Sequence, residues 1–247
     1  MKNIWIITLF PSFFDVLFKT GVVGSALRGE RGMLPKLHFL NPTDFCEKGF
    51  KGVDSAPYGG GAGQILRGDV LEKTLVEGIK NSYPNSVKNI KEILKVIYLG
   101  PRGKKFDQNL AWTMVNNFKS SEERDIAFIC GRYEGIDERF IEKYVEEHLS
   151  LGDFVLSGGE VALIPILDSI FRLMPGVLRN EESSIVESFN GDGLEFPQYT
   201  RPRFSCDKEV PDILLKGNHE KIRQWRNVER IRMTKEFRPD LLKENEK

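Results

Sequence analysis

Little in the 247-residue sequence is typical of a secreted or membrane protein. It contains only three cysteines, which are widely spaced and form no Cys-x-x-Cys pair. This usage favours a reducing compartment and argues against a structural zinc site. No stretch approaches the roughly 20 apolar residues of a membrane span, and Pro11 and Asp15 interrupt the apolar start where a signal peptide would continue. We therefore expect a cytoplasmic protein without a membrane partner. The cysteines are Cys46, Cys130 and Cys206.

The common nucleotide-binding signatures are also missing. Gly152, Gly158 and Gly159 lie within eight residues, but their spacing matches neither the dinucleotide fingerprint nor a P-loop. Without a P-loop or a pair of metal-binding acids, an enzyme acting on nucleoside triphosphates is disfavoured. Net charge is zero, although residues 201–247 hold 13 basic against 9 acidic side chains. A basic tail on a neutral protein is a weak indication of a polyanionic partner.

Short apolar runs alternate with helical patterns along the first 178 residues. This alternation predicts an α/β fold in which helices cover a parallel sheet. Residues 179–203 are polar and show no sustained period, whereas 211–245 look helical again. We expect an α/β domain over 1–178, a flexible interdomain segment over 179–203 and a small helical C-terminal domain over 204–247. Strands are predicted at 3–10, 36–41, 95–100 and 125–131, and helices at 12–19, 69–81, 106–118, 137–147 and after Gly159.

Three polar, glycine-bearing loops follow predicted strands, at residues 100–103, 131–135 and 151–159. Ligands of open α/β sheets bind at the carboxyl ends of strands, so these loops are expected to form one pocket. Walls made mostly of backbone donors and acceptors suit the edge of a purine. The sequence therefore predicts a site for an adenosine-containing ligand.

The same loops resemble a known family. YLGPRGKKFDQ (98–108), CGRYEGIDER (130–139) and SLGDFVLSGGEVA (150–162) are similar to the cofactor motifs of bacterial tRNA (guanine-N1)-methyltransferases. The resemblance covers nearly the whole chain and implies a SPOUT methyltransferase fold, with a C-terminal trefoil knot in the parallel-sheet domain. Further matches are PYGGGAGQ (57–64), FRLMPGVL (171–178), GLEFPQYTRP (193–202) and GNHEKIRQWR (217–226).

The resemblance implies that S-adenosylmethionine binds in the loop pocket and that magnesium assists, with Glu134 as the residue linked to the metal. The chain departs from the common pattern at Val161 and Ala162, which follow the glutamate of the third motif, and at Ala62 and Gln64 in the glycine-rich motif. The implied cofactor-binding residues are Tyr98, Leu99, Gly100, Pro101, Gly131, Tyr133, Glu134, Leu151, Gly152, Phe154, Leu156, Gly158 and Gly159.

Methylation of guanine N1 requires a general base, because N1 carries a proton in the neutral base. It also requires a cation near O6, where negative charge develops. The resemblance assigns the second role to Arg172 and the first to Glu187, which stands where the family typically has Asp. Asp192 is a lower-ranked alternative base. We expect both the carboxylate and the arginine near the cofactor loops.

The resemblance also implies that the substrate is a tRNA with guanosine at position 37, bound by an obligate homodimer. On a helix, Arg223, Arg226 and Arg230 fall at i, i+3 and i+7 and form one basic stripe that suits phosphate contacts. Tyr199 and Phe189 are candidate stacking partners for a base splayed out of the loop.

Two alternatives remain open at this stage. One is another SPOUT RNA methyltransferase that modifies a ribose or a different base. The other is a tRNA-binding protein whose catalysis has lapsed, which the glutamate at position 187 suggests.

Overall fold

In the computed structural model the chain forms two compact units, Met1–Arg179 and Asn180–Lys247. The structure describes residues 2–80, 82–83, 89–120, 124–180, 187–191 and 193–242.

The first unit contains a five-stranded sheet whose neighbouring strands all pair in parallel, in the order β2-β1-β6-β5-β7. This arrangement confirms the predicted parallel α/β class. Its strands are β1 (Asn3–Ile7), β2 (Lys36–Leu40), β5 (Leu94–Lys105), β6 (Asp125–Cys130) and β7 (Glu147–Ser150). The two-residue strands β3 (Asp54–Ser55) and β4 (Ile65–Leu66) form a separate antiparallel pair.

Helices cover both faces of the sheet, and the three central strands β1, β6 and β5 bury side chains on both faces. In β1, Ile4 and Ile6 belong to one hydrophobic cluster, whereas Trp5 and Ile7 belong to the other. The first cluster includes side chains of α1, α2, α4 and α6, and the second includes those of α3 and α5. These helices are α1 (Asp15–Lys19), α2 (Gly21–Leu27), α3 (Gly68–Lys80), α4 (Gln108–Lys119), α5 (Glu138–Tyr144) and α6 (Gly159–Arg172).

Two predicted boundaries are wrong at the β5–β7 edge of the sheet. Residues 100–103, predicted to be a loop, belong to β5, whose pairing with β7 shifts register between Leu99 and Lys104. The predicted helix over 137–147 ends at Tyr144, and Glu147 begins β7 opposite Ile97. Both differences come from long-range strand pairing, which local periodicity does not encode.

The described residues of the second unit form a short hairpin and two α-helices. Strands β8 (Phe204–Ser205) and β9 (Lys208–Glu209) pair antiparallel and are followed by α7 (Asp212–Leu215) and α8 (His219–Phe237). Asn218 caps α8, since its side chain accepts a hydrogen bond from the backbone of Lys221 at 3.1 Å. Among the described residues no helix is both long and apolar enough to cross a bilayer.

Candidate functional site

A cavity of about 240 Å³ lies beside the register break in β5 and the loops that follow β6 and β7. The register break in β5 presents the backbone of residues 98–101 to this cavity, and residues 131–135 and 149–159 form its other walls. All thirteen residues predicted to bind the cofactor line it. Those residues are Tyr98, Leu99, Gly100, Pro101, Gly131, Tyr133, Glu134, Leu151, Gly152, Phe154, Leu156, Gly158 and Gly159.

The glycine pair before α6 lets two of the cavity loops touch. A Cβ on Gly159 would lie 2.7 Å from the Cα of Cys130, a backbone atom that cannot move aside, and the Gly159 amide donates to the carbonyl of Gly131 at 2.9 Å. A Cβ on Gly158 would lie 2.5 Å from Nε of Arg132. Both positions therefore need glycine because another segment of the protein lies against them, and both residues also line the cavity.

A buried ion pair fixes the same two loops, and sequence reasoning missed it. Nε of Arg132 donates to Glu160 at 2.8 Å, and the Thr8 hydroxyl donates to the other carboxylate oxygen at 2.6 Å. Glu160 is fully buried. The Arg132 guanidinium also lies 4.6 Å from the ring centroid of Phe10 and 5.0 Å from that of Phe13. In the sequence, Glu160 stands beside Gly158 and Gly159, and an acid at that position is equally typical of the first turn of a helix.

Two tyrosines line the cavity beside a third aromatic residue, Phe154. Tyr98 is buried and meets the ring of His148 edge-on at 5.7 Å, and burial raises the pKa of its phenol. Tyr133 is 45% exposed and adopts a left-handed backbone with φ of 58°, unusual for a side chain of that size. Burial raises the pKa of Tyr133 as well. Both phenols therefore stay protonated near neutral pH, so they act as neutral donors.

Glu134 extends from the second loop toward the glycine-rich segment 57–64. Its amide donates to the carbonyl of Gln64 at 3.0 Å, and its side chain packs against Gly63, where a Cβ would come within 2.5 Å of Cγ. Tyr58 at the other end of the segment is 99% exposed.

The structure does not bring Arg172 to the cavity of its own chain. Arg172 is the last residue of α6, and Gly159, which lines the cavity, is the first. Because an α-helix rises 1.5 Å per residue, the two lie about 20 Å apart along the axis. The expectation that the arginine stands near the cofactor loops therefore fails within a single chain.

Glu187 lies in the second unit, in a turn of residues 187–191 that is hydrogen-bonded to residues 193–195. The backbone carbonyl of Glu187 accepts from Asn190 at 3.3 Å, and the amide of Phe189 donates to Gly193 at 2.9 Å. The alternative base, Asp192, falls outside the described residues.

The predicted basic stripe forms on α8, but its members differ in exposure and contacts. Arg223 is exposed and paired with Glu220 at 3.2 Å, and Arg226 lies over the ring of Phe196 at 4.7 Å. Arg230 is half-buried.

The predicted stacking residues already have intramolecular contacts. The Tyr199 ring lies 6.4 Å from that of Trp225, and the Arg238 guanidinium lies 5.6 Å from that of Phe189. Both tyrosine and phenylalanine remain more than 40% exposed. Each therefore keeps an accessible surface beside its internal contact.

Comparison with known proteins decides the family. A family profile described as tRNA (Guanine-1)-methyltransferase TrmD matches residues 1–244. The chain belongs to this family. The resemblance drawn from the motifs is thereby confirmed, and so is the prediction of an enzyme of the methyltransferase class.

Relatives within the tRNA (guanine-1)-methyltransferase family match along both units. A tRNA (guanine-N(1)-)-methyltransferase of Clostridium novyi is 46% identical over 239 residues, which are 97% of this chain and 90% of the relative. Proteins of the same name from Clostridium perfringens (strain SM101 / Type A) and Clostridium tetani are 47% and 45% identical. These matches cover 96% of this chain and 91% of each relative.

The magnesium implied by the family resemblance does not fit a resident protein site. Within the described part of the chain, no group of three or more His, Cys, Asp or Glu side chains could hold a metal ion. Glu134 offers one exposed carboxylate, while Mg²⁺ needs six oxygens in near-octahedral geometry. Any ion there would take most of its ligands from water and substrate, so no chemical step is assigned to it.

Proposed function

We propose that this chain transfers the methyl group of S-adenosylmethionine to N1 of guanosine 37 in tRNA. The observation that carries the proposal is the single cavity lined by all thirteen residues predicted from three separate motifs. Membership in the family supports methylation of guanine in tRNA. The proposal adds S-adenosylmethionine as the cofactor, position 37 as the target and the roles of the individual residues.

The cavity suits the adenosine part of the cofactor. Six of its twenty lining residues are glycines, which let a flat purine lie close to the chain and pair with amide and carbonyl groups. When bound, S-adenosylmethionine supplies an electrophilic methyl group on a sulfonium sulfur. Arg132 and Glu160 hold two of the surrounding loops together, so the pocket is formed before the ligand arrives.

Glu187 takes the N1 proton in this proposal, and Arg172 neutralises the charge that develops on O6. The freed lone pair on N1 forms the new N–C bond while the C–S bond breaks and its electrons stay on sulfur, leaving a neutral thioether. The proton ends on the carboxylate. Glutamate supplies the same group as aspartate with one more methylene, so the turn of residues 187–191 must set its reach.

A homodimer supports this chemistry better than a single chain. Arg172 lies about 20 Å along α6 from the cavity, farther than an arginine side chain reaches. A second copy could bring its Arg172 and Glu187 to the first copy's cavity. Phe13, Val16 and Val22 around α1 and α2 are each at least 40% exposed and offer apolar surface for such contact.

The first test is methyl transfer from labelled S-adenosylmethionine to a tRNA transcript with guanosine at position 37, beside an adenosine-37 transcript. We expect label only on the guanosine transcript, and Glu187→Gln should abolish turnover while cofactor binding persists. Equal labelling of both transcripts would favour a different SPOUT target. Binding of tRNA without labelling would favour the lapsed protein, for which Glu187→Asp is the next variant.

The place of this reaction in the cell follows from its substrate. Because tRNA is modified where it is made and used, we propose a cytoplasmic location, in line with the three unpaired cysteines.

A further inference from the structure

The turn that carries Glu187 is attached to α8 through the side chain of Thr234. Thr234 is fully buried, near the carboxyl end of α8. Its hydroxyl donates to the carbonyl of Arg230 at 2.8 Å and accepts from the amide of Leu194 at 2.9 Å. One oxygen atom thus joins the helix backbone to the backbone of the turn.

Gly193 fits against the same hydroxyl. A Cβ on Gly193 would lie 2.4 Å from Oγ1 of Thr234, and the residue has φ of +126°, which side chains rarely adopt. Gly193 also accepts from the amide of Phe189 at 2.9 Å, and this bond closes the turn directly after Glu187. Thr234 therefore contacts Gly193, and Gly193 is hydrogen-bonded to Phe189, which lies two residues after Glu187 in the chain.

The turn has a further internal bond and a second contact with the end of α8. The Ser188 hydroxyl accepts from the amide of Glu195 at 3.0 Å. Phe189 has φ of 67°, and the Arg238 guanidinium next to α8 lies over its ring at 5.6 Å. These contacts restrict the described residues that follow Glu187. The segment is therefore held as a defined shape on the helix, despite its polar and aperiodic sequence.

We propose that Thr234 is a positioning residue for methyl transfer, which holds Glu187 at a fixed place relative to α8. This inference rests on the proposed function, in which Glu187 is the base and α8 contacts the tRNA. In this proposal α8 binds phosphates of the tRNA and, through Thr234, also fixes the position of the Glu187 carboxylate that accepts the proton. A base misplaced by about 1 Å can lower the rate by about 10²-fold, so one hydrogen bond at this joint controls kcat.

Two substitutions at position 234 separate the hydrogen bond from the packing. Thr234→Val keeps the branched shape but leaves the Leu194 amide without its acceptor, whereas Thr234→Ser keeps the hydroxyl and loses only a methyl group. Gly193→Ala attacks the same contact from the turn side, because its Cβ would displace the hydroxyl. All three are made in the full chain.

Single-turnover methylation of the guanosine-37 transcript is the readout, with KM for tRNA and for S-adenosylmethionine measured alongside. We expect Thr234→Val and Gly193→Ala to lower the rate constant about 10–100-fold, with both KM values within about twofold of the parent. Thr234→Ser should keep most of the parent's rate constant. A parallel rise in KM for tRNA with loss of helical circular dichroism would show general disruption of the second unit and would overturn the inference.

A double-mutant cycle with Glu187→Asp, which keeps a carboxylate and therefore a measurable rate, tests whether Thr234 acts through the base. If it does, the losses caused by Thr234→Val and Glu187→Asp are not additive, because both substitutions displace the same carboxylate. Additive losses would overturn the positioning role. Absence of methylation by the parent protein would instead refute the proposed function, and a fully active Glu187→Gln would refute the base assignment, so the failures are distinguishable.

Discussion

At the scale of single residues, the cavity depends on a charge that is removed from water. Glu160 is fully buried and Arg132 is 14% exposed at the side chain, yet each has specific partners in Thr8, Ser157 and two aromatic rings. Removing one member of a buried pair is costly because the other charge is left without compensation. The pair therefore ties the stability of the first unit to the shape of the cavity.

Glu160→Gln should lower the free energy of unfolding by about 3–5 kcal/mol, because Arg132 keeps its charge but loses the carboxylate. Urea denaturation of the full chain measures this, and equilibrium dialysis of S-adenosylmethionine should show weaker binding from the loosened loops. Glu30→Gln, which removes an exposed partner of Arg28, is the matched control and should change neither quantity measurably. Equal effects of the two substitutions would contradict the role assigned to the buried pair.

The residues around the cavity were predictable where a sequence motif contains them. They were unpredictable where their role depends on a contact that only the folded chain creates. The thirteen cavity-lining residues come from three sequence motifs, and the structure brings all of them together. Arg132 lies inside the second motif, but its role depends on Thr8, more than 120 residues away. Sequence patterns hold no signal for such a pairing.

At the scale of elements, α8 shows that helical periodicity predicts which residues share a helix but not the contacts that their side chains make. The period placed Arg223, Arg226 and Arg230 on one stripe, and α8 does span all three. The period did not predict that Arg226 lies over Phe196, because that contact joins residues from separate segments of the second unit. It also did not predict that Arg230 is half-buried. The electrostatic role of the stripe therefore remains a prediction.

Arg226→Gln should weaken tRNA binding and lower the slope of log K against log salt by about 0.7–0.9, the value for one phosphate contact. Filter binding at several salt concentrations gives the slope. Arg226→Lys is the control, because it keeps the charge while changing the contact with Phe196, and its slope should match the parent. An unchanged slope for Arg226→Gln would remove this residue from the RNA-contacting surface.

At the scale of the whole molecule, the length of α6 separates Arg172 from the cavity, although the proposed chemistry needs the two together. Gly159 begins the helix at the cavity and Arg172 ends it about 20 Å away. A symmetric dimer solves this if each copy lends groups to the other's cavity, which makes each active site a product of two chains.

Complementation between two inactive variants tests that arrangement. Gly159→Ala disables the cavity and Glu187→Gln disables the base, so each variant alone should be inactive. A heterodimer, co-expressed with two tags and purified through both, should regain about half of the parent activity, because one of its two sites has an intact cavity and an intact base. Recovery of the heterodimer without activity would show that cavity and base act within one chain.

The sequence by itself determined the parallel α/β class, the cavity loops that follow β6 and β7, the family and most cavity residues. Apolar periodicity and short glycine motifs are local features that survive without knowledge of the fold. Only the tertiary structure decided the strand β7, the buried Arg132–Glu160 pair and the attachment to Thr234 of the turn that carries Glu187. Each of these joins residues far apart in the chain, and such pairings are chosen by packing and hydrogen-bond satisfaction in the folded state.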